Sequence, residues 1–196
     1  MKIKVMAKVE LKDKNGKVTK TLTKECKSYV RQLIDILHNC MAYDNTANIK
    51  DTGAVSRAIG CGLGGTNGAI DDVLYVNSAA GDSTCGIQVG TGVIAVTISD
   101  YYLPSLITHG DTATHLNYGA LSVGSVAIVG STAKFTIART FTNNSGADID
   151  VKEVALITKS AAPGDSFKFM LEHTLLNFTI ANGTSGTVTY TISVTV

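Results

Sequence analysis

The chain has 196 residues, of which 44% are hydrophobic and 17% charged, a balance that excludes disorder and allows one sizeable core. No run approaches the ~18 apolar residues of a membrane-spanning helix, so no membrane partner is expected. The net charge is only +1, but residues 1–31 hold ten Lys/Arg and three acids, a surplus of +7, while the other 165 residues carry −6.

Residues 2–11 alternate Ile3, Val5, Ala7, Val9 and Leu11 against a polar set, the period of a half-buried strand. Asn15-Gly16 marks a hairpin turn, and residues 17–23 return as the second strand. Lys2, Lys4, Lys8, Lys12, Lys14 and Lys17 make this hairpin basic. It reads either as a solvated hairpin face or, more sharply, as a docking arm for an acidic neighbour, such as another copy of the chain. Nucleic acid is the weaker alternative, because residues 1–31 hold one aromatic, Tyr29, and no aromatic–basic interleaving.

Residues 27–42 carry Val30, Leu33, Ile34, Leu37 and Met41 at helical spacing, with Ser28 as the expected N-cap. Residues 46–85 read as a glycine-rich, partly stranded excursion with short apolar runs at 55–59 and 73–76. Its Gly62-x-Gly64-Gly65-x-x-Gly68 lacks the Lys-Ser/Thr of a phosphate-binding loop. Cys26, Cys40, Cys61 and Cys85 have neither zinc nor C-x-x-C spacing, and no secretory signal precedes them, so they are expected to be mostly free thiols.

From residue 86 the strand pattern becomes regular. Strands are expected near 86–90, 93–98, 117–129, 132–141, 148–158, 167–173 and 186–196, with Asp100–Ile107 locally helical. The last ten residues alternate Val188, Tyr190, Ile192, Val194 and Val196 against Thr187, Thr189, Thr191, Ser193 and Thr195. That hydroxyl face could meet another subunit, and a chain ending in a strand could leave its last residues free for the contact. The expected fold is mainly β: an antiparallel β-sandwich, jelly-roll or immunoglobulin-like, with an N-terminal hairpin and one amphipathic helix. Residues 1–45 form the hairpin and helix, a docking arm, 46–85 the excursion and 86–196 the sandwich body, expected as one domain with 1–45 packed on the body or on a neighbour.

Few residues suggest chemistry. His109, Asp111 and His115 have the residue types of a metal site but no fourth ligand nearby in sequence. Asp148 and Asp150 sit just after a turn, where solvation is the ordinary explanation. Tyr101, Tyr102 and Tyr118 are candidates for contact with a glycan, against the plainer reading of core or interface packing. No catalytic residue and no cofactor is expected.

The blocks GIQVGTG, LNYGALSV, RTFTNNSGADIDVKEVALI and VTYTISVTV resemble a group of tailed-phage virion proteins. KSYVRQLIDIL fits the same arrangement, so the likeness runs from about residue 25 onward. The resemblance implies a structural protein of a bacterial or archaeal virus particle, made in the host cytoplasm. Its partners would be further copies and other virion proteins at the head surface, tail or baseplate. A receptor- or glycan-binding module of a tail fibre is the alternative, with a host-surface glycan as partner, and a metal-dependent enzyme is a distant third.

Overall fold

The computed structural model describes residues 2–27, 29–42, 49–57, 75–159 and 167–195. Two antiparallel sheets face each other. Strand β1 (Lys2–Lys12) turns into β2 (Val18–Cys26), and helix α1 (Arg31–Ala42) follows. A two-residue pair, β3 (Ile49–Lys50) and β4 (Ser56–Arg57), is closed by Asp51, whose carboxylate accepts from the Gly53 and Val55 amides and binds Arg57 Nε at 2.8 Å. Then come β5 (Gly86–Gly90), the short β6 (Asn117–Tyr118), β7 (Ser122–Val123) and β8 (Ala127–Val129), and four long strands. These are β9 (Thr132–Thr142), β10 (Ile149–Lys159), β11 (Lys168–Ile180) and β12 (Ser185–Thr195).

The larger sheet runs β2-β1-β12-β9-β6, with β7 and β8 also on β9; the smaller runs β11-β10-β5. Alternation explains the packing. Val5, Ala7, Val9, Val188, Tyr190, Ile137 and Phe141 of the larger sheet share one core with Ile87, Val89, Val154, Leu156, Phe169 and Phe178 of the smaller. The chain is therefore an antiparallel β-sandwich with an N-terminal hairpin and one helix.

The hairpin is part of that body. β1 pairs with β12 from Lys2↔Thr195 to Lys12↔Ser185, so it is not a separate arm. Its turn is held by Asp13, whose Oδ1 accepts from the Asn15 and Lys17 amides, while Gly16 takes the left-handed conformation (φ 80°). The expected free C-terminal flank is corrected too. β12 is bonded to β1 on one side and to β9 on the other, from Ser185↔Thr142 to Thr195↔Thr132. Its hydroxyl face forms cross-strand pairs, Thr187 with Thr140 and Thr132 with Thr195, each at 2.9 Å. A chain started at residue 32 loses two strands of the larger sheet. It is expected to be insoluble or to lack β structure, as soluble yield and circular dichroism would show.

Four local expectations change. Residues 93–98 form no strand: Thr97 and Asp100 close a turn there, with Thr97 Oγ1 donating to Asp100 Oδ1 at 2.6 Å. Residues 100–107 form turns rather than a helix, consistent with Pro104 in their middle. The expected strand 117–129 is broken into β6, β7 and β8. A Cβ on Gly119 would stand 3.0 Å from Thr140 O and one on Gly124 2.8 Å from Thr136 Oγ1, so glycine lets the backbone lie against β9. The strand expected at 167–173 continues to Ile180.

Helix α1 buries a different face from the expected stripe. Ile36 and Gln32 are buried and Leu33 is half-buried, whereas Ile34 and Leu37 are exposed. Val30 is buried just before the helix, and Ser28 and the side chain of Met41 lie outside the described residues. The Gly62–Gly68 stretch and Cys61 lie outside them as well, as does the side chain of Cys40. Cys26 and Cys85 are buried and unbridged. Burial pushes their thiols up to about 12 and about 11, so they are not nucleophiles at neutral pH.

Candidate functional site: a carboxylate–imidazole–carboxylate row beside a cavity

The candidate metal triplet is not assembled. His109 Nδ1 accepts the Tyr118 amide at 3.2 Å, Asp111 accepts from Asn117 Nδ2, and His115 Nδ1 lies 3.0 Å from Thr112 Oγ1. Each residue is tied to its own part of the loop. Among the described residues no three His, Cys, Asp or Glu side chains are placed to hold a metal ion. Asp148 Oδ1 caps the Asn182 amide at 2.9 Å, and Asp150 is exposed beside Thr179 and Lys152.

The tyrosines divide. Tyr118 is buried: its hydroxyl donates to Ile107 O at 2.5 Å and its ring meets Phe141 edge-on. It is a core residue, not a contact surface. Tyr101 is half-buried and Tyr102 exposed, their ring centroids 4.7 Å apart, and both line a cavity of about 270 Å³. On the basic hairpin Lys4, Lys14 and Lys17 are exposed and Lys8 and Lys12 half-buried; Lys8 meets Glu10 at 2.6 Å. The side chain of Lys2 lies outside the described residues.

At the polar end of the same cavity lies a row of charges that the sequence reading missed. His173 of β11 projects from the outer face of the smaller sheet. Its Nδ1 is 2.8 Å from Asp100 Oδ2 and its Nε2 is 2.9 Å from Glu153 Oε2 of β10. Glu153 Oε1 accepts the Gly92 amide at 3.1 Å, and Asp100 Oδ2 accepts the Thr97 amide at 3.0 Å. The row thus ties the segment 91–105 to two strands. Burial works against a charged His173, but hydrogen bonds and charge from Glu153 and Asp100 outweigh it and raise the pKa. Burial would raise Asp100, yet bonds from Thr97 and His173 bring it below the ordinary value. An imidazolium between two carboxylates donates with both nitrogens, so neither is free to act as a base or a metal ligand.

Gly92 fits this arrangement closely. A Cβ there would lie 2.5 Å from Glu153 Oε1 and 2.7 Å from its Cδ. Gly92→Ala is expected to push Glu153 off His173 and to cost about 1–3 kcal/mol. A fall in Tm with a lowered His173 pKa by NMR titration would confirm it. A lowered Tm with an unchanged pKa would refute the link.

Two other buried polar centres hold the sandwich. Arg139 sits in the core side of β9 and gives its N–H groups to five carbonyls: Gly119 (2.9 Å), Cys85 (2.8 Å), Ile87 (3.3 Å), Ala79 (3.1 Å) and Asp82 (2.6 Å). Its guanidinium carbon is 4.7 Å from the Tyr118 ring centroid. Glu172 faces the core, where Tyr190 donates to it at 2.5 Å and Thr174 donates to its other oxygen. Burial outweighs these bonds and pushes Glu172 up to about 7.

Fold and site together define a class: an antiparallel β-sandwich with a charged row and cavity outside its smaller sheet. No family model, no curated protein and no solved structure matches this chain.

Proposed function

We propose that the chain is a structural protein of a bacterial or archaeal virus particle that acts by self-assembly at the capsid surface, tail or baseplate. The observation that carries this reading is the apolar side chains left bare in two short segments. Val93, Ile94 and Ile98 are 72%, 70% and 64% exposed, and Val123, Val126, Ile128 and Val129 are 53%, 68%, 77% and 63% exposed. Monomeric proteins seldom expose apolar residues in such groups, and burial against a neighbour gains about 25 cal/mol per Å².

Charge supports the same reading. The first 31 residues carry +7 and the rest −6. A basic surface on one copy and an acidic surface on the next favour a head-to-tail contact, which closes into a ring or continues as an array. The likeness of the RTFTNNSGADIDVKEVALI block to tailed-phage virion proteins points the same way.

The test is assembly. The purified chain is expected to be oligomeric by light scattering, and Val126→Lys with Ile128→Lys to shift it towards monomer while circular dichroism is unchanged. Mass spectrometry of particles from the encoding virus is expected to find the chain. A folded monomer that is absent from particles would overturn the proposal.

A further inference from the structure

Two cavities open on either side of Ser99. The larger, about 270 Å³, holds Asp100, His173 and Glu153 at its polar end and Val93, Tyr101 and Tyr102 among its apolar walls. The smaller, about 180 Å³, is lined by Arg31, Gln32, Asp35, Lys50 and Ser99. Lys50 Nζ lies 4.7 Å from the Tyr101 ring centroid and so bridges the two linings. Together they fall in the roughly 300–1,000 Å³ range of small-molecule sites.

The leftover hydrogen-bonding capacity describes the ligand. Gln32 is 5% exposed, yet its Oε1 has no partner among the described residues. A buried acceptor left empty is costly, and a turn of the Gln32 side chain, which lines the smaller cavity, would bring it to a ligand hydroxyl. The Asp100–His173–Glu153 row offers only oxygen lone pairs, because both ring nitrogens and the Gly92 amide are already used. Lys50 supplies donors on the other side. Across both linings three carboxylates (Asp35, Asp100 and Glu153) face three cations (Arg31, Lys50 and His173), so neither sign of ligand charge is favoured. Tyr102, 42% exposed, lines the larger cavity.

We propose that the two cavities form one carbohydrate site for a neutral mono- or disaccharide. Ring hydroxyls donate to Asp100, Glu153 and Gln32 and accept from Lys50, and the apolar face of a sugar ring packs on Tyr102. The site borders the proposed assembly surface, because Val93 and Ile94 line the larger cavity, and its test uses the full chain in whatever oligomer it forms.

Saturation-transfer NMR and calorimetry would be run against glucose, galactose, mannose, N-acetylglucosamine and the β-1,4 disaccharides of glucose and N-acetylglucosamine. At least one is expected to bind saturably with a Kd of order 1 mM. Tyr102→Ala and Gln32→Leu are each expected to weaken binding by about tenfold or more. Tyr75→Ala, at an exposed tyrosine outside both cavities, is expected to leave it unchanged. No saturable binding by any sugar of the panel up to about 50 mM would overturn the proposal. Equal binding by wild type, Tyr102→Ala and Gln32→Leu would overturn it too.

Discussion

Arg139→Met is expected to leave little folded protein at room temperature. The substitution removes the N–H donors that serve five buried or half-buried carbonyls; Cys85 O keeps the Ser78 hydroxyl and Ala79 O the Asp82 amide, while the Gly119, Ile87 and Asp82 oxygens lose a donor. One buried unsatisfied group costs about 1–3 kcal/mol, so the loss is expected to exceed about 4 kcal/mol even after partial rearrangement. That is a large part of the ~5–15 kcal/mol that holds an ordinary domain together. Arg139→Lys keeps the charge, but an ammonium has three donors in place of the planar fork, and its cost is expected to be about 2 kcal/mol. Urea midpoints would rank wild type above Lys and Lys above Met. A Met variant within about 1 kcal/mol of wild type would show that the carbonyls find other donors.

Stability is expected to peak on the acid side of neutrality, near pH 5, and to decline towards pH 8. Glu172 has an ordinary value of 4.5 and is pushed up to about 7 in the fold. Between those values the folded chain holds a proton that the unfolded chain has released, so rising pH destabilises by about 3 kcal/mol in all. His173 adds to the decline. Its folded pKa is raised, so its contribution is complete below 6.5 and is lost as pH climbs through the folded value. Asp100 acts at the other end: its folded pKa is lowered, so its contribution is present above 3.8 and is lost as pH falls further. Glu172→Gln is expected to flatten the fall between pH 5 and 7 and to keep the His173 decline above it. Urea midpoints across pH would read both; a Gln variant with an unchanged slope would refute the assignment to Glu172.

Strand alternation made most of the sandwich legible. Residues 2–11, 132–141, 148–158 and 186–196 all became strands close to their expected bounds. The helix was legible as an element but not by its face, because Ile34 and Leu37 fit the same period as the buried Ile36. Val93–Ile98 has the composition of a strand, and the Thr97–Asp100 turn overrode it.

The site was hidden for a topological reason. Asp100, Glu153 and His173 lie on a loop and two strands, so no local spacing joins them. A signal was nonetheless there. Arg139 falls in phase with Phe135, Ile137 and Phe141, and Glu172-His173 interrupts the apolar run FMLEHTLL. A charged residue in the inward phase of a strand must find buried partners, and Arg139 and Glu172 both do; His173, on the outer face, is held by Asp100 and Glu153. The RTFTNNSGADIDVKEVALI block holds Arg139, Asn143 and Glu153, which are all buried and hydrogen-bonded to groups outside their own strand.

The central place of β12 sets the order of events during synthesis. β1 is translated before its partner along the full strand, which follows more than 170 residues later. Until then the β1–β2 ribbon waits with its β1 edge unpaired, and β9 waits as well. Pairing across such sequence separation is slow, and an unpaired edge is a route to aggregation. The lysines of the ribbon are well placed to guard it in that interval, because like charges keep waiting ribbons on neighbouring nascent chains apart.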